Sequence, residues 1–347
     1  MAQTATVIAA DGDRFRINGK PTYAGRTWRG MRIDGLLLNS RMANAIVDDE
    51  NPATRGAWSY ADSDWDAERN TRELIAALPE YRRHGLLALA VNLSGGSPQG
   101  YSWHQPWHIC GFTAEGALKP DYAARLEKLI AAADAQGMVL ILGLFYGRQS
   151  HRLRDENVVR AAVAATVDWL VERGACNVLL EIGNEVDLPV FSHAVIGAAR
   201  CHELIALAQQ RSAGRLPTPA GRLLVGTSLV GPAAPPDNIL AVADILLPHG
   251  NRIETPDGIR LHVLRTRIAP GYRGQPITFN EDDHYDFAAP DNNLLAAIDS
   301  GAGWGFFDYR RIRERFEDGF QSLPVDWSIR SARKRAFFAL LKEVTGA

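Results

Sequence analysis

Residues 177–187, NVLLEIGNEVD, decide how this chain is read. Val178, Leu180 and Ile182 alternate with Leu179, Glu181 and Gly183, the pattern of a buried strand, and the run ends on Asn184 and Glu185 where the backbone must turn. In an α/β barrel the carboxyl end of each strand opens onto the active site, so a carboxylate there reads as catalytic rather than structural. Residues 276–284, PITFNEDDH, repeat the arrangement: a strand-like run stops at Glu281, again preceded by an asparagine, Asn280.

Working outward, the same alternation of strand and helix recurs along the chain. Asn18-Gly19 between apolar-alternating flanks marks a hairpin over 14–28 that leads into a first strand ending near 26–28. Apolar spacing predicts helices over 66–84, 121–136, 156–173, 195–212, 236–243, 257–268, 291–300 and 326–344. Strands are expected over 86–93, 138–145, 223–229, 245–247 (ending at His249), 277–280 and 303–307. Two long segments, 29–64 and 94–112, lack periodicity and read as functional loops after strands one and two. Eight strand-then-helix units in one chain predict an α/β fold, a single (β/α)8 TIM barrel spanning 1–347 with an N-terminal β-hairpin extension over 1–20.

Composition narrows the function classes. The 347 residues are 46% hydrophobic and 22% charged with a net charge of -2, so nothing electrostatic argues for nucleic acid or an anionic membrane as partner. Cys110, Cys176 and Cys201 have no zinc or disulfide spacing and are expected as free thiols. No GxGxxG follows an early strand and no GxxxxGK[ST] is present, which removes the commonest nucleotide sites. The N-terminus lacks a basic n-region and an apolar h-region, and no segment approaches transmembrane length. The chain is expected to be soluble, either cytoplasmic or secreted with its signal removed; its oligomeric state is not readable.

Glycoside hydrolysis needs two carboxyl groups flanking the sugar bond, one to protonate the leaving oxygen and one to attack or to activate water. Glu185 and Glu281 at the mouths of strands four and seven, each after an asparagine, resemble the pair in the clan A superfamily of retaining barrel glycosidases, which includes cellulases, mannanases and β-galactosidases. Glu181-x-x-Asn184-Glu185 and the FRINGKP hairpin also match. The resemblance implies Glu185 as acid/base, Glu281 as nucleophile and Asn184 as donor to the sugar 2-hydroxyl, with no metal and no cofactor. It further implies that His249 contacts substrate or nucleophile; a satisfied structural histidine is the other reading of that residue.

Other residues are placed by type and position. Glu181 lies deeper on the face of Glu185 and is expected to pair with a buried cation such as Arg26. Trp58, Tyr60, Tyr101, Trp103 and Trp107 fall in the two long loops and are expected as an aromatic wall for a carbohydrate, or as packing of those loops. Arg29, Arg32, Arg41 and Arg55, with Arg148, Arg152 and Arg154, would either read an acidic sugar or form a solvated face. Asp282, Asp283 and His284 would orient Glu281, bind hydroxyls or form a solvated loop. The family's tyrosine near strand six is missing from His249-Gly250-Asn251, and its platform tryptophan from the end of strand eight, where Phe307, Asp308 and Tyr309 stand.

The resemblance implies a β-glycosidase acting with retention, its carboxyl groups about 5 to 5.5 Å apart. Glu185 should be protonated near working pH, because burial and an ionised neighbour disfavour its charge. Two rivals remain at this point: a metal-dependent sugar isomerase or epimerase using Glu185, His249, Glu281 and Asp283 as ligands, and a carbohydrate-binding barrel without catalysis.

Overall fold

The computed structural model describes residues 6–95 and 104–347. Its strands are β1 (Ile8–Asp11), β2 (Arg14–Ile17), β3 (Lys20–Pro21), β4 (Thr27–Trp28), β5 (Met31–Arg32), β6 (Asn39–Arg41), β7 (Ala88–Asn92), β8 (Val139–Tyr146), β9 (Val178–Asn184), β10 (Leu224–Gly226), β11 (Ser228–Val230), β12 (Leu247–His249) and β13 (Gly305–Phe306). Its α-helices are α1 (Pro52–Arg55), α2 (Ala67–Arg83), α3 (Pro120–Ala135), α4 (Glu156–Glu172), α5 (Cys201–Ser212), α6 (Asp237–Leu240), α7 (Pro256–Ile268), α8 (Asn293–Asp299) and α9 (Ala332–Thr345).

The fold is an α/β barrel. A parallel sheet runs β10-β9-β8-β7-β6-β13, and β11, which continues β10 beyond Thr227, pairs in parallel with β12. Parallel bridges then carry the pairing through residues 277–282: Leu246 and His249 meet Ile277 and Glu281, while Thr278 and Asp282 meet Gly303 and Phe306. The seventh stave is thus held by isolated bridges rather than a continuous ladder. Glu281 nevertheless pairs in register with His249, which places their side chains together.

The interior changes character from one end to the other. At the bottom Leu37, Ala88, Val139, Ile141, Leu179, Leu224 and Ile245 form an apolar plug, closed by Ile8 and Phe15 of the β1–β2 hairpin. Burying a side chain of that size stabilises by roughly 1.5–3 kcal/mol, so the hairpin acts as a lid on the barrel floor. One layer up the same inward rows carry Asn39, Arg41 and Glu181, all buried. Gly143 makes room for this polar layer, since a Cβ there would sit 3.2 Å from Glu181 Oε2 and 2.4 Å from Asn92 Oδ1.

Helices begin where their caps dictate. Asp66, Asp155 and Ser331 accept from backbone N–H groups of α2, α4 and α9. The last helix therefore starts at Ala332 rather than at 326, and α5 starts at Cys201 rather than at 195. The larger correction concerns strand one. Thr27 and Trp28 pair only with Met31 and Arg32 outside the barrel, whereas the first stave is β6. Because β6 is buried on both faces, its sequence shows no alternation and resembles loop. Among the described residues no helix is long and apolar enough to cross a membrane.

Candidate active site

Strand four ends in an unusual backbone. Glu185 has φ of 55°, a left-handed conformation rare outside glycine, which turns its side chain into the mouth. Strand five holds this turn in place: Ser228 Oγ accepts from Glu185 N at 2.9 Å, Ser228 O accepts from Val186 N at 3.1 Å, and Thr227 Oγ1 donates to Gly183 O at 2.9 Å. Strand five, which offers no carboxylate or imidazole at its mouth, serves as the clamp.

Glu185, Glu281 and His249 converge, with one carboxylate oxygen from each glutamate and a ring nitrogen of His249 all within 4.8 Å of one another. Glu281 is 4% exposed and fixed from two sides. Arg41 Nε lies 2.5 Å from its Oε2, and Asn251 Nδ2 donates to its Oε1 at 2.5 Å. Asn251 thus supplies a donor to Glu281 although strand six has no tyrosine. Arg41 also donates to Asn184 Oδ1 and lies 3.8 Å from Glu181 Oε2, while Asn280 Nδ2 donates to the same Glu181 oxygen at 3.3 Å.

His249 is fully buried between the two acids, its Nδ1 3.0 Å from Glu185 Oε1 and 3.6 Å from Glu281 Oε2. Burial penalises charge on Glu185, yet the hydrogen bond and charge of His249, with Arg41 and Arg252, hold its carboxyl below the usual range. Burial likewise penalises charge on His249, yet Glu281 and Glu185 hold its imidazole above its ordinary value. The pair favours Glu185 ionised and His249 protonated, opposite to the expectation that burial would keep Glu185 neutral. The sequence placed a carboxylate at the mouth of strand four and an imidazole at that of strand six but not their hydrogen bond.

A cavity of about 330 Å³ opens above the pair, lined among others by Arg41, Tyr146, Asn184, Glu185, Asn251, Glu281, Asp283, Phe307 and Tyr309. Its size lies within the range of small-molecule sites. Burial, reinforced by the charges of Glu185 and Glu281, pushes Tyr146 up to about 12. Asp283 is pushed up to about 6, first by burial and then by the charge of Asp282. Asp282 itself is an internal anchor, bonded to His284 Nδ1 (2.6 Å), Asn293 Nδ2 (3.0 Å) and Trp304 Nε1 (2.9 Å). Within that cluster only Asp283 faces the cavity.

Several sequence-level placements are corrected. Arg26 is remote from the acids: its guanidinium donates to the Val344 and Glu343 carbonyls at the end of α9, and Arg41 is the cation beside Glu181. Trp58 and Trp107 do not line the cavity. Trp58 is fully buried and donates to Asp49 Oδ2 at 2.6 Å, and Trp107 packs edge-on against it with ring centroids 5.7 Å apart. Tyr60 stacks on Trp65 beneath the same loop. These rings fill space under their loops, an apolar role the sequence cannot tell from a sugar platform. Trp103 and Tyr101 lie outside the described residues. Tyr309 does line the cavity, as does Arg148, whereas Arg32 and Arg55 pair with Asp13 and Asp48. Arg252 and Gln321, which line it too, carried no motif by which sequence reasoning could single them out.

No protein-family model and no curated protein sequence matches the chain. Solved structures do. An endo-1,4-beta-mannanase from Rhizomucor miehei superposes with a TM-score of 0.54 at 14% identity, covering 97% of this chain and 99% of that one. A GH5-4 broad specificity endoglucanase from Bacteroides salanitronis gives 0.54 at 12% identity, with 89% and 93% covered. A Bacteroides vulgatus protein assigned as a glycoside hydrolase gives 0.55 at 13% identity, with 97% of this chain covered; this chain spans 60% of its length. The chain shares the barrel fold of these glycoside hydrolases.

Proposed function

We propose that this chain is a clan A-type glycoside hydrolase that cleaves a β-glycosidic bond with retention, with Glu281 as nucleophile and Glu185 as acid/base. One observation carries the reading: two carboxylates from strands four and seven approach within 4.8 Å at the floor of one cavity, each in a different electrostatic setting. Nearest oxygens this close accord with the separation of about 5–5.5 Å at which a carboxylate attacks the sugar carbon directly.

In the first step Glu281 Oε attacks the anomeric carbon while the glycosidic oxygen takes a proton from Glu185. Arg41 and Asn251 hold the Glu281 carboxylate in place from two sides. The proton available to Glu185 resides with His249 in the free enzyme, 3.0 Å away, so donor and store form a single unit sharing one proton. That one proton passes from His249 Nδ1 to the Glu185 carboxylate and from there to the leaving oxygen, so the step ends with His249 neutral and Glu185 ionised. In the second step water gives a proton to the Glu185–His249 pair and attacks the glycosyl carbon, releasing Glu281 as carboxylate. Asn184, held by Arg41, lines the cavity beside Glu185 as the donor to the 2-hydroxyl.

The metal-dependent rival fits the donor set poorly. Both oxygens of Glu281 already accept from Arg41 and Asn251, and a guanidinium beside the site repels a dication. Proton NMR of the first product formed from a β-glycoside tests the reading. The β-anomer should appear first; initial release of the α-anomer contradicts retention.

A further inference from the structure

The cavity is electrostatically lopsided. On the side of Glu185, the loops after strands three, four and six contribute Arg148, Leu188, Val190 and Arg252. The segments after strands seven and eight contribute Asp283, Phe307 and Tyr309. Of the cavity's cations, Arg41 is committed to Glu281 and Asn184. Arg252 is exposed, lines the cavity and makes no hydrogen bond or ion pair with a described residue. A guanidinium in that position presents its fork of N–H donors to whatever enters.

We propose that this half of the cavity binds an anionic sugar residue, a hexuronate or a sulfated hexose, through Arg252 with Arg148. The proposal rests on the glycosidase reading above, because Glu185 as acid places the basic half on the leaving-group side. Planar guanidinium groups match carboxylate and sulfate oxygens in a bidentate geometry, and the partial enclosure of the cavity reduces solvent screening. Asp283, contributed by the segment after strand seven, repels the same anion. The two halves together orient the chain, so that the charged residue departs with the leaving group and a neutral ring lies against Phe307 and Tyr309.

The test uses β-linked oligosaccharides with a hexuronate on the leaving side, their methyl esters, and sulfated and neutral counterparts. Turnover and calorimetric binding are measured for the wild type and Arg252→Glu. The acid should exceed its methyl ester at least tenfold in kcat/KM, mainly through KM, and Arg252→Glu should abolish or invert that ratio. A larger preference for the sulfated probe than for the hexuronate would assign the anion as sulfate. Equal values for acid and ester, or a preference that survives Arg252→Glu, would overturn the proposal while leaving a glycosidase acting on neutral sugars. Charge-selective binding without turnover of any probe would instead sustain the anion site and remove the hydrolase reading.

Discussion

The mouths of strands four and seven each present a glutamate after an asparagine, yet the two ends are built differently. Glu281 sits on an ordinary strand end, 4% exposed, between a permanent cation and an amide donor. Glu185 sits on a left-handed residue, less buried, and its closest polar partner is a histidine that can gain or lose a proton. Arginine stays protonated and exchanges no proton with its partner. A group bonded to histidine exchanges a proton with it. On the proposed reading the contrast separates a nucleophile from a reversible acid and base, although the residue type is the same.

The comparison breaks most visibly at Glu281. Glu281→Ala should lower kcat by roughly 10⁴-fold or more on every β-glycoside, whatever the leaving group, since it removes the proposed nucleophile. Added azide should restore turnover through the space left and yield an α-glycosyl azide. Glu185→Ala should lower kcat/KM about 10²- to 10⁴-fold for a poor leaving group and far less for a dinitrophenyl glycoside, whose leaving group departs without a proton. Equal losses for both leaving groups would mean that Glu185 acts otherwise than as an acid.

His249 sharpens the contrast through pH. In the wild type the last proton of the Glu185–His249 pair can reside on either group, so the pair holds it at least as tightly as Glu185 would alone. His249→Asn leaves the carboxyl as the only site, and the basic limb of the kcat/KM profile should move to lower pH. A basic limb that stays in place would show that His249 does not store the proton.

The site was legible where chemistry coincides with a strand end. Glu185, Glu281 and His249 stand at such ends and could be read from the pattern that precedes them. Arg41 could not. It stands at the end of a three-residue strand whose buried faces erase any alternation, and its partners Glu181 and Glu281 come from strands distant in sequence. The run of Leu36, Leu37 and Leu38 before it was the available signal, the continuous apolar run of a parallel strand. The aromatic loops misled for the opposite reason. Trp58 and Trp107 have the composition of a sugar platform, but burial is decided by how the loop folds back on Asp49, which no local pattern encodes.

The smallest expected effect concerns stability at Asp283. Its folded pKa is raised to about 6 by burial, above the ordinary value of 3.8. The stability associated with its protonated form is fully present below about pH 3.8 and lost as pH rises through about 6. Asp283→Asn keeps the shape without that loss. Its Tm should match the wild type at pH 3.5 and exceed it by a few degrees at pH 8, an advantage of about 2 kcal/mol or less. A Tm difference independent of pH would contradict this origin.

The most direct test of the central claim is intact-protein mass spectrometry after incubation with activated 2-fluoroglycosides, followed by peptide mapping. The account predicts a single adduct of one fluoroglycosyl unit on Glu281, its formation blocked by Glu281→Gln. An adduct on Glu185 or Asp283, or cleavage of a β-glycoside by the wild type with no adduct from the matching fluorosugar, would contradict it.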